Sequence, residues 1–362
     1  MKLLFSFYMP SGGMGTLNRI RRDAFHMLGH DCRLLYTTQH QEPDDIYLTK
    51  LFERETFDLV TVSSDYTLLE KIRKSGYTGP LIYEVQGYGP PDEGEKVMVS
   101  AKRFIETYAD AVLYPRTGHL SRLFRQHIPS LPHYSFDNPL DSVTMRYRKY
   151  PPKHFPIIGW VGRIEYNKNW MELLELVSRL VPVYPELSVW MFGDAKLDNQ
   201  WERSQFNARV KALGLTRHMI RHSNVPNDLM ADYYSIIGDS GGFLCSTSIL
   251  EGFGYAVCEA MLCRCPVLSS SSDGVNRMIT HKKTGMLYPS RDTDIAYQMA
   301  RTLMEDLPLR QRIRRAGMLH IRSRFRPERY VDSFVEMAAE LQRRLPPVRD
   351  NKPTRGDSNA RL

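Results

Sequence analysis

The chain of 362 residues is too long for one hydrophobic core of ordinary size, and its length fits two domains. With 42% hydrophobic and 25% charged residues, the composition is that of a globular protein and excludes a fibrous or low-complexity chain. The formal net charge is +8, and residues 301–362 hold 15 Lys and Arg against 8 Asp and Glu. No nucleic-acid-binding motif accompanies this charge, so we expect no nucleic-acid partner; a solvated helix face and contact with an anionic membrane both stay open.

Hydropathy and cysteine usage indicate a cytoplasmic protein, with the inner face of the membrane as an alternative peripheral location. No stretch approaches the roughly 20 apolar residues of a membrane span. The short apolar run Leu3–Tyr8 is predicted to be a first strand and not a signal peptide. Among the five cysteines, Cys263 and Cys265 form a close pair, but no second pair follows at ligand spacing. We therefore expect free thiols and no metal site.

The first half of the chain alternates short apolar runs with helical or polar stretches, which is typical of a parallel sheet covered on both faces. A glycine segment, Gly12–Gly15, is predicted to form the turn after the first strand. A helix should follow over Thr16–Leu28, ended by Gly29. A glycine turn of this kind is as often structural as functional. The predicted strands are Leu3–Tyr8, Cys32–Tyr36, Leu59–Val62, Leu81–Val85 and Ala111–Tyr114.

A linker is predicted over Tyr147–Pro156, where the prolines block a helix or a central strand. The pattern then restarts with a strand at Ile157–Val161, a turn at Gly162–Asn167 and a helix at Trp170–Val181. The later predicted strands are Leu187–Phe192, Gly242–Cys245 and Pro266–Ser269.

The sequence thus predicts an α/β protein with two Rossmann-like domains that face a central cleft. The first should span residues 1–150 and the second residues 155–324. A C-terminal helix at about 325–345 is expected to pack back onto the first domain, and 349–362 to be a disordered tail.

The segment from Glu251 to Glu259 carries the strongest chemical signal. Gly252 and Gly254 allow close approach of a ligand to the backbone, and a helix that begins near Tyr255 would direct free N–H groups at an anion. Glu251 would lie at the reactive end of the ligand, and Glu259 could accept hydrogen bonds from the vicinal hydroxyls of a ribose. Such a pair suits a sugar nucleotide. Taken without a family, both could equally be ordinary surface acids.

A second signal, Gly162–Lys168, follows the strand that opens the second half, and ligands bind at such strand ends. Arg163 offers a fork of donors for phosphate and Lys168 a flexible point charge, so both could reach one diphosphate. Two solvated loop cations are an equal alternative.

Together these segments resemble the family-4 retaining glycosyltransferases, which have the two-domain B-type glycosyltransferase fold. The spacing of Glu251 and Glu259 is that of the family's Glu-x7-Glu element, and Thr284–Tyr288 and the turn Asp137–Asp141 also resemble family segments. The resemblance covers residues 1–345 and is strongest over 157–290.

The resemblance implies that Arg163 and Lys168 hold the donor diphosphate, Glu259 the ribose and Glu251 the transferred sugar. The donor-binding residues that it implies are Gly13, Gly15, Gly162, Arg163, Lys168, Gly252, Phe253, Gly254 and Glu259, and the catalytic ones are Glu251, Arg163 and Lys168. Gln86 and Asp273 fall where the donor sugar or the acceptor is contacted. Gln86 departs from the family, which usually has His at this position. The amide of Gln86 can still form hydrogen bonds, but it cannot take a proton at neutral pH.

The implied activity is that of a retaining hexosyltransferase in carbohydrate biosynthesis. It would transfer a hexose or N-acetylhexosamine from a nucleotide sugar, with uracil as the expected base, to a glycan, a lipid-linked or a small-molecule acceptor. No metal or other cofactor is expected, because the cations and the helix start neutralise the leaving group. The alternatives are a catalytically degenerate partner subunit of the same fold and a sugar-nucleotide epimerase.

Overall fold

The computed structural model describes residues 1–10, 12–39, 44–88 and 91–344, which form two parallel six-stranded sheets covered by helices. The tail expected at 349–362 lies outside the described residues. Within the described part of the chain, no helix has the length and hydrophobicity needed to cross a bilayer.

The first sheet uses residues from the N-terminal part of the chain. Its strands are β1 (Lys2–Phe7), β2 (Asp31–Tyr36), β3 (Leu59–Ser63), β4 (Leu81–Glu84), β5 (Ala111–Tyr114) and β6 (His133–Ser135). The helices between them are α1 (Gly12–Met27), α2 (Asp44–Arg54), α3 (Tyr66–Lys74), α4 (Pro91–Tyr108) and α5 (Gly118–His127). The spatial order is β2-β1-β3-β4-β5-β6.

The second sheet begins after an irregular connection. Its strands are β7 (Ile157–Val161), β8 (Ser188–Gly193), β9 (Met219–Ser223), β10 (Phe243–Ser246), β11 (Val267–Ser270) and β12 (Met286–Tyr288). Its helices are α6 (Trp170–Leu180), α7 (Gln200–Ala212), α8 (Asn227–Asp239), α9 (Tyr255–Leu262), α10 (Thr293–Glu305) and α11 (Leu307–Arg324). The spatial order is β12-β11-β10-β7-β8-β9.

The strand order of each sheet determines where a ligand can bind. In the second sheet the chain turns in opposite directions from β7, so the loops after β7 and β10 diverge and leave a crevice between them. In the first sheet the same reversal lies between β1 and β3. Crevices of this kind, at the carboxyl ends of the strands, are the usual ligand sites of doubly wound sheets.

The last helix, α12 (Pro327–Arg344), leaves the second sheet and packs on the first. The ring of Phe334 is fully buried, 5.3 Å from the ring of Phe5 in β1 and 5.2 Å from that of Phe25 in α1, measured between centroids. The two halves of the chain are therefore connected by both the 136–156 segment and the entry to α12.

Several sequence expectations for the elements need correction. The first helix begins at Gly12 and not at Thr16, so the glycine segment forms its first turn instead of a turn before it. The short strands β6, β9 and β12 were not predicted. β6 and β12 have only three residues each, and β9 is a mostly exposed edge strand, so none of them carries a long apolar run. The expectation of free thiols is confirmed, since all five cysteines are unpaired and buried.

A buried ion pair lies inside the first domain. Arg21 of α1 and Glu84 at the end of β4 are 0% and 1% exposed, and the Arg21 Nη1 atom is 2.8 Å from Glu84 Oε2. The guanidinium also stacks over the Phe5 ring, 3.8 Å from its centroid. Each charge is compensated almost entirely by the other, so loss of one partner leaves an uncompensated charge without water.

We predict that Arg21→Met lowers the free energy of unfolding of the first domain by about 3–5 kcal/mol, because Glu84 is left buried and unpaired. The measurement is a denaturant titration. The control is Arg22→Met on the exposed side of the same helix, with an expected change of about 0.5 kcal/mol or less. The double variant Arg21→Met with Glu84→Leu should recover much of the loss; no recovery would show that shape and not charge decides the result.

Candidate active site

Asn167 joins the loops after β7 and β10 with three hydrogen bonds, and the Thr247 hydroxyl also donates to the Lys168 carbonyl between these loops, at 2.7 Å. Asn167 donates from Nδ2 to the carbonyl of Leu250 (3.0 Å) and accepts from the Leu250 amide at Oδ1 (3.1 Å). Its own carbonyl accepts from the Ile249 amide at 2.9 Å. Because these three bonds fix the two loops against each other, side chains from both loops can meet in the crevice of the second sheet.

Lys168 and Glu251 meet there. Lys168 Nζ donates to Glu251 Oε2 at 2.8 Å and lies 3.4 Å from Ser248 Oγ. The two charged side chains are 21% and 20% exposed, so the pair is accessible but not fully hydrated. Gly162 makes room for the lysine, since a Cβ at this position would lie 3.0 Å from Lys168 Cγ. The structure thus brings together two of the three predicted catalytic residues.

Helix α9 begins beside this pair. Gly254 precedes it with φ +84°, a conformation that favours glycine, and no side chain caps the helix start. The amides of the first turn therefore point into the crevice without a partner in the helix. Gly252 lies against the first domain, where a Cβ would be only 1.8 Å from the carbonyl oxygen of Gln86. The two domains are in close contact at this point.

Glu259 lies in the second turn of α9 and is 7% exposed. The Tyr234 hydroxyl donates to its Oε2 at 3.2 Å, and Asn227 Nδ2 lies 3.4 Å from its Oε1. Burial raises the pKa of Glu259 to about 7. Arg19 of the first domain reaches across to Asn227 Oδ1 at 2.7 Å. The carboxyl group of Glu259 is thus held at the domain boundary, and its neutral and ionised forms are both populated near neutral pH.

Gln86 is held by hydrogen bonds on both ends of its amide. Its Nε2 donates to Glu84 Oε1 at 3.0 Å, and its Oε1 accepts from Asn138 Nδ2 at 2.6 Å. The partner Glu84 is the carboxylate of the buried pair with Arg21. The side chain at the position expected to contact the sugar is therefore anchored within the first domain.

The structure places three other predicted residues elsewhere. Arg163 is half exposed, and its guanidinium pairs with Glu165 (2.9 Å) and not with Glu251, which pairs with Lys168. The Asp273 carboxylate accepts from the amide of His119 at the start of α5, at 2.7 Å, and so serves as a contact between the domains. The Phe253 side chain is buried against Phe325 (5.3 Å between ring centroids), which leaves only its backbone to the crevice.

The two glycines of α1 differ in what they face. A Cβ on Gly13 would lie 3.9 Å from Tyr255 Cδ2, so this glycine faces the start of α9 across the cleft. A Cβ on Gly15 would instead lie 2.9 Å from the backbone of Pro10. Gly15 is therefore required for the packing of its own domain, and only Gly13 lines the cleft.

A cavity of about 200 Å³ that the sequence did not indicate adjoins Gly162. It lies at the carboxyl ends of β7, β8 and β9 and includes Gly193, His222 and Ser223. The His222 ring stacks on Phe192 with centroids 5.0 Å apart, its Nε2 is buried without a partner, and burial lowers its pKa. Since β9 was not predicted as a strand, its end could not be assigned to the crevice. The sequence signal that could have indicated this cavity is Gly193-Asp194 at the carboxyl end of β8.

Among residues 1–10, 12–39, 44–88 and 91–344, no group of three His, Cys, Asp or Glu side chains is arranged to hold a metal ion.

Comparison with known proteins identifies the second domain. Residues 145–320 match the family model of the glycosyl transferases group 1. The chain is 25% identical over 165 residues to a 2-deoxystreptamine glucosyltransferase of Streptomyces kanamyceticus, with 45% of this chain and 40% of the relative covered. It is 22% identical to the lipopolysaccharide core biosynthesis glycosyltransferase LpsD of Rhizobium meliloti, with 59% and 58% covered. The chain spans about half the length of the curated relatives that it matches.

Solved structures with the same architecture cover nearly the whole chain. HepE of Anabaena, in complex with UDP and glucose, superposes with a TM-score of 0.77 at 15% identity and covers 94% of this chain and 100% of that one. Sucrose-phosphate synthase of Thermosynechococcus elongatus gives a TM-score of 0.79 at 15% identity, with 95% and 100% covered. Residues 145–320 therefore carry a glycosyl transferases group 1 domain, and the chain has the two-domain B-type glycosyltransferase fold.

Proposed function

We propose that the chain is a retaining glycosyltransferase that transfers a hexose or N-acetylhexosamine from a nucleotide sugar without a metal ion. One observation carries the proposal: a cation, a carboxylate and an uncapped helix start meet where the second sheet reverses direction. Lys168 and Glu251 form the charged pair, and α9 begins next to them. A nucleotide sugar needs donors for its diphosphate and acceptors for its sugar hydroxyls, and this site offers both.

In this proposal the donor diphosphate binds between Lys168 and the first turn of α9. The ammonium group is already in the crevice, so it gives up its contact with Glu251 in favour of the phosphate oxygens. Arg163 is close by in sequence and joins the phosphate when it leaves Glu165, its partner in the structure. Gly13 at the start of α1 faces the same point from the opposite wall. The leaving group is thus neutralised by fixed positive charge, as magnesium does in other transferases.

The nucleoside part extends from the diphosphate into the second domain. Glu259, held by Tyr234, accepts from the two ribose hydroxyls. The cavity beside Gly162 follows in the same direction, and its volume of about 200 Å³ suits a base and not a whole nucleotide. His222 offers an unpaired ring nitrogen there. HepE is a structure with bound UDP, which supports uridine as the nucleoside.

Transfer breaks the bond between the anomeric carbon and the diphosphate oxygen, and the bonding electrons leave with the nucleoside diphosphate. The acceptor hydroxyl attacks from the same face, and its proton passes to a phosphate oxygen, so the anomeric configuration is retained. Glu251 binds hydroxyls of the sugar and orients it for this attack. Gln86, anchored to Asn138 and Glu84, contacts the sugar through its amide and takes no proton.

The acceptor is proposed to be a saccharide, a lipid-linked or a small-molecule hydroxyl compound. The names of the relatives span these classes: one acts on 2-deoxystreptamine, one in lipopolysaccharide core synthesis and one on a phosphatidylinositol monomannoside. The expectations of a cytoplasmic location and of contact with an anionic membrane stay predictions.

Donor binding tests the proposal. Calorimetry with a panel of nucleotide sugars, in the presence of a chelator, should show micromolar binding of at least one of them. Glu259→Ala should weaken that binding at least tenfold, because it removes two charge-assisted hydrogen bonds of about 1.5–3 kcal/mol each.

The control is Glu186→Ala. Glu186 is an exposed acid in the loop before β8, at the amino ends of the strands, whereas the crevice lies at their carboxyl ends. The control variant should leave the affinity unchanged. If the wild-type protein binds no nucleotide sugar, the transferase proposal fails and a degenerate partner subunit takes its place.

The affinity for the donor should depend on pH. Since burial raises the pKa of Glu259 to about 7, this carboxyl group is mostly neutral near pH 6 and mostly ionised near pH 8. The ionised form is the better acceptor for ribose hydroxyls, and the diphosphate of a nucleotide sugar does not titrate in this range. We therefore expect binding to strengthen about tenfold from pH 6 to pH 8. Glu259→Gln should abolish this pH dependence of the affinity. If the pH dependence persists in the variant, another group causes it.

The rate of sugar transfer should depend on the Lys168–Glu251 pair more strongly than the affinity for the nucleotide sugar does. Lys168→Met removes the cation that stabilises the leaving diphosphate, so we expect nucleoside diphosphate release to fall about a hundredfold. Lys211→Met, an exposed lysine of α7, is the charge-matched control and should keep full turnover. Equal losses in the two variants would contradict the role of Lys168.

A further inference from the structure

A second cavity, of about 170 Å³, lies away from the crevice and is lined by three arginines. Arg146 comes from the connection between the two sheets, Arg264 from the turn after α9, and Arg322 from the last turns of α11. Tyr147 and Ser142 of the connection complete its polar lining. Helix α9 runs from the donor crevice at its start to this cavity at its end, so the two sites are separated by the length of the helix.

None of these three guanidinium groups has an acidic partner among the described residues. Two other arginines of α11 have partners: Arg310 is buried and donates to the carbonyls of Gly238 and Gly242, and Arg314 pairs with Asp239. The cavity lining contains no acidic residue. The three arginine side chains are exposed, and no acidic group in the described part of the chain pairs with them, in contrast to Arg314.

The backbone at Arg264 is a second and independent observation. Arg264 has φ +56°, in the left-handed region that side chains with a Cβ rarely adopt. Its amide bonds to Met261 O and the next amide, of Cys265, to Ala260 O, which is the helix-ending arrangement that usually takes glycine at the position of Arg264. The chain thus has an arginine where glycine would relieve strain. Its guanidinium stacks over the Tyr147 ring, 5.0 Å from the centroid, at the wall of the cavity.

The size and chemistry of the cavity fit a phosphate group. Its volume of about 170 Å³ is that of about six water molecules, which is enough for a tetrahedral oxyanion. Arginine donates in a planar fork that matches phosphate oxygens, and the Ser142 hydroxyl is an additional donor. We propose that Arg146, Arg264 and Arg322 form a binding site for a phosphate group, distinct from the donor crevice.

Two sources can supply such a group, a soluble phosphorylated compound or the headgroup of an anionic lipid. Two exposed apolar side chains adjoin the cavity residues: Val143, 75% exposed, follows Ser142, and Leu319, 52% exposed, follows Met318 of the cavity lining. They are the groups that would contact lipid if the source is a membrane surface. Both sources share the same recognition, a phosphate held by three arginines.

The test is binding of inorganic phosphate and pyrophosphate, measured by calorimetry at constant ionic strength. The Lys168→Met background removes the central donor-site cation and so lowers binding in the donor crevice, and the effect of each arginine variant is measured relative to this background. Arg264→Gly and Arg322→Gln should each weaken binding about tenfold or more. Arg264→Gly relieves the backbone strain, so its thermal midpoint should not fall, and a loss of binding cannot be ascribed to unfolding.

Arg315→Gln is the matched control, since it removes the same charge from an exposed position of α11 that does not line the cavity. It should keep the affinity within about twofold of its parent. The proposal is overturned if the Lys168→Met parent protein binds neither phosphate nor pyrophosphate, or if Arg315→Gln weakens binding as much as Arg322→Gln does.

Vesicles distinguish the two sources. Co-sedimentation with phosphatidylcholine vesicles that contain phosphatidylglycerol, lost in Arg264→Gly and retained in Arg315→Gln, identifies a lipid headgroup. Phosphate binding in solution without vesicle binding identifies a soluble ligand. If Arg264→Gly changes neither readout, the site does not exist. Each of these outcomes is independent of nucleotide-sugar binding, so the site can fail while the transferase proposal stands.

Discussion

Three hydrogen bonds made by Asn167 connect the loop after β7 to the loop after β10. Parallel strands bring their carboxyl ends to one edge of a sheet, but where the winding direction reverses, the loops diverge and no backbone ladder joins them. Asn167 supplies that connection with its side chain and its backbone carbonyl, and the Thr247 hydroxyl adds a bond to the Lys168 carbonyl. The contact of Lys168 with Glu251 and the placement of α9 beside them both depend on it. A site assembled in this way is fixed before any ligand arrives, as preorganised charge stabilisation requires.

The first domain contributes to the site through a buried polar chain. Arg21 pairs with Glu84, Glu84 accepts from Gln86, and Gln86 accepts from Asn138 at the start of the connection between the domains. The backbone of Gln86 then touches Gly252 in the second domain. On the outer side, Arg277 pairs with Asp137 at 3.0 Å. Specific polar contacts thus join the two domains at their boundary, and such contacts are common at interfaces between domains that move relative to each other.

The sequence predicted the strands that carry apolar runs, the linker and the helix start at Tyr255, because burial on both faces of a sheet leaves a readable pattern. It could not predict β6, β9 or β12, which are short or exposed. It named Lys168, Glu251 and Glu259 from spacing and resemblance, but it missed Asn167 and Tyr234. Their roles depend on contacts between residues 25 or more positions apart. The sequence also predicts that Arg163 and Lys168 both reach one diphosphate; in the structure Arg163 pairs with Glu165, and a shared diphosphate stays a prediction.

We propose that fixed charge at this crevice supports transfer of a sugar with retained configuration and without a metal ion. The most direct measurement follows the anomeric proton of the donor sugar by NMR during slow hydrolysis of an α-linked nucleotide sugar, in the presence of a chelator. The account predicts that the α-anomer of the free sugar is released first, together with nucleoside diphosphate. Initial release of the β-anomer, or turnover that needs an added divalent ion, would contradict it.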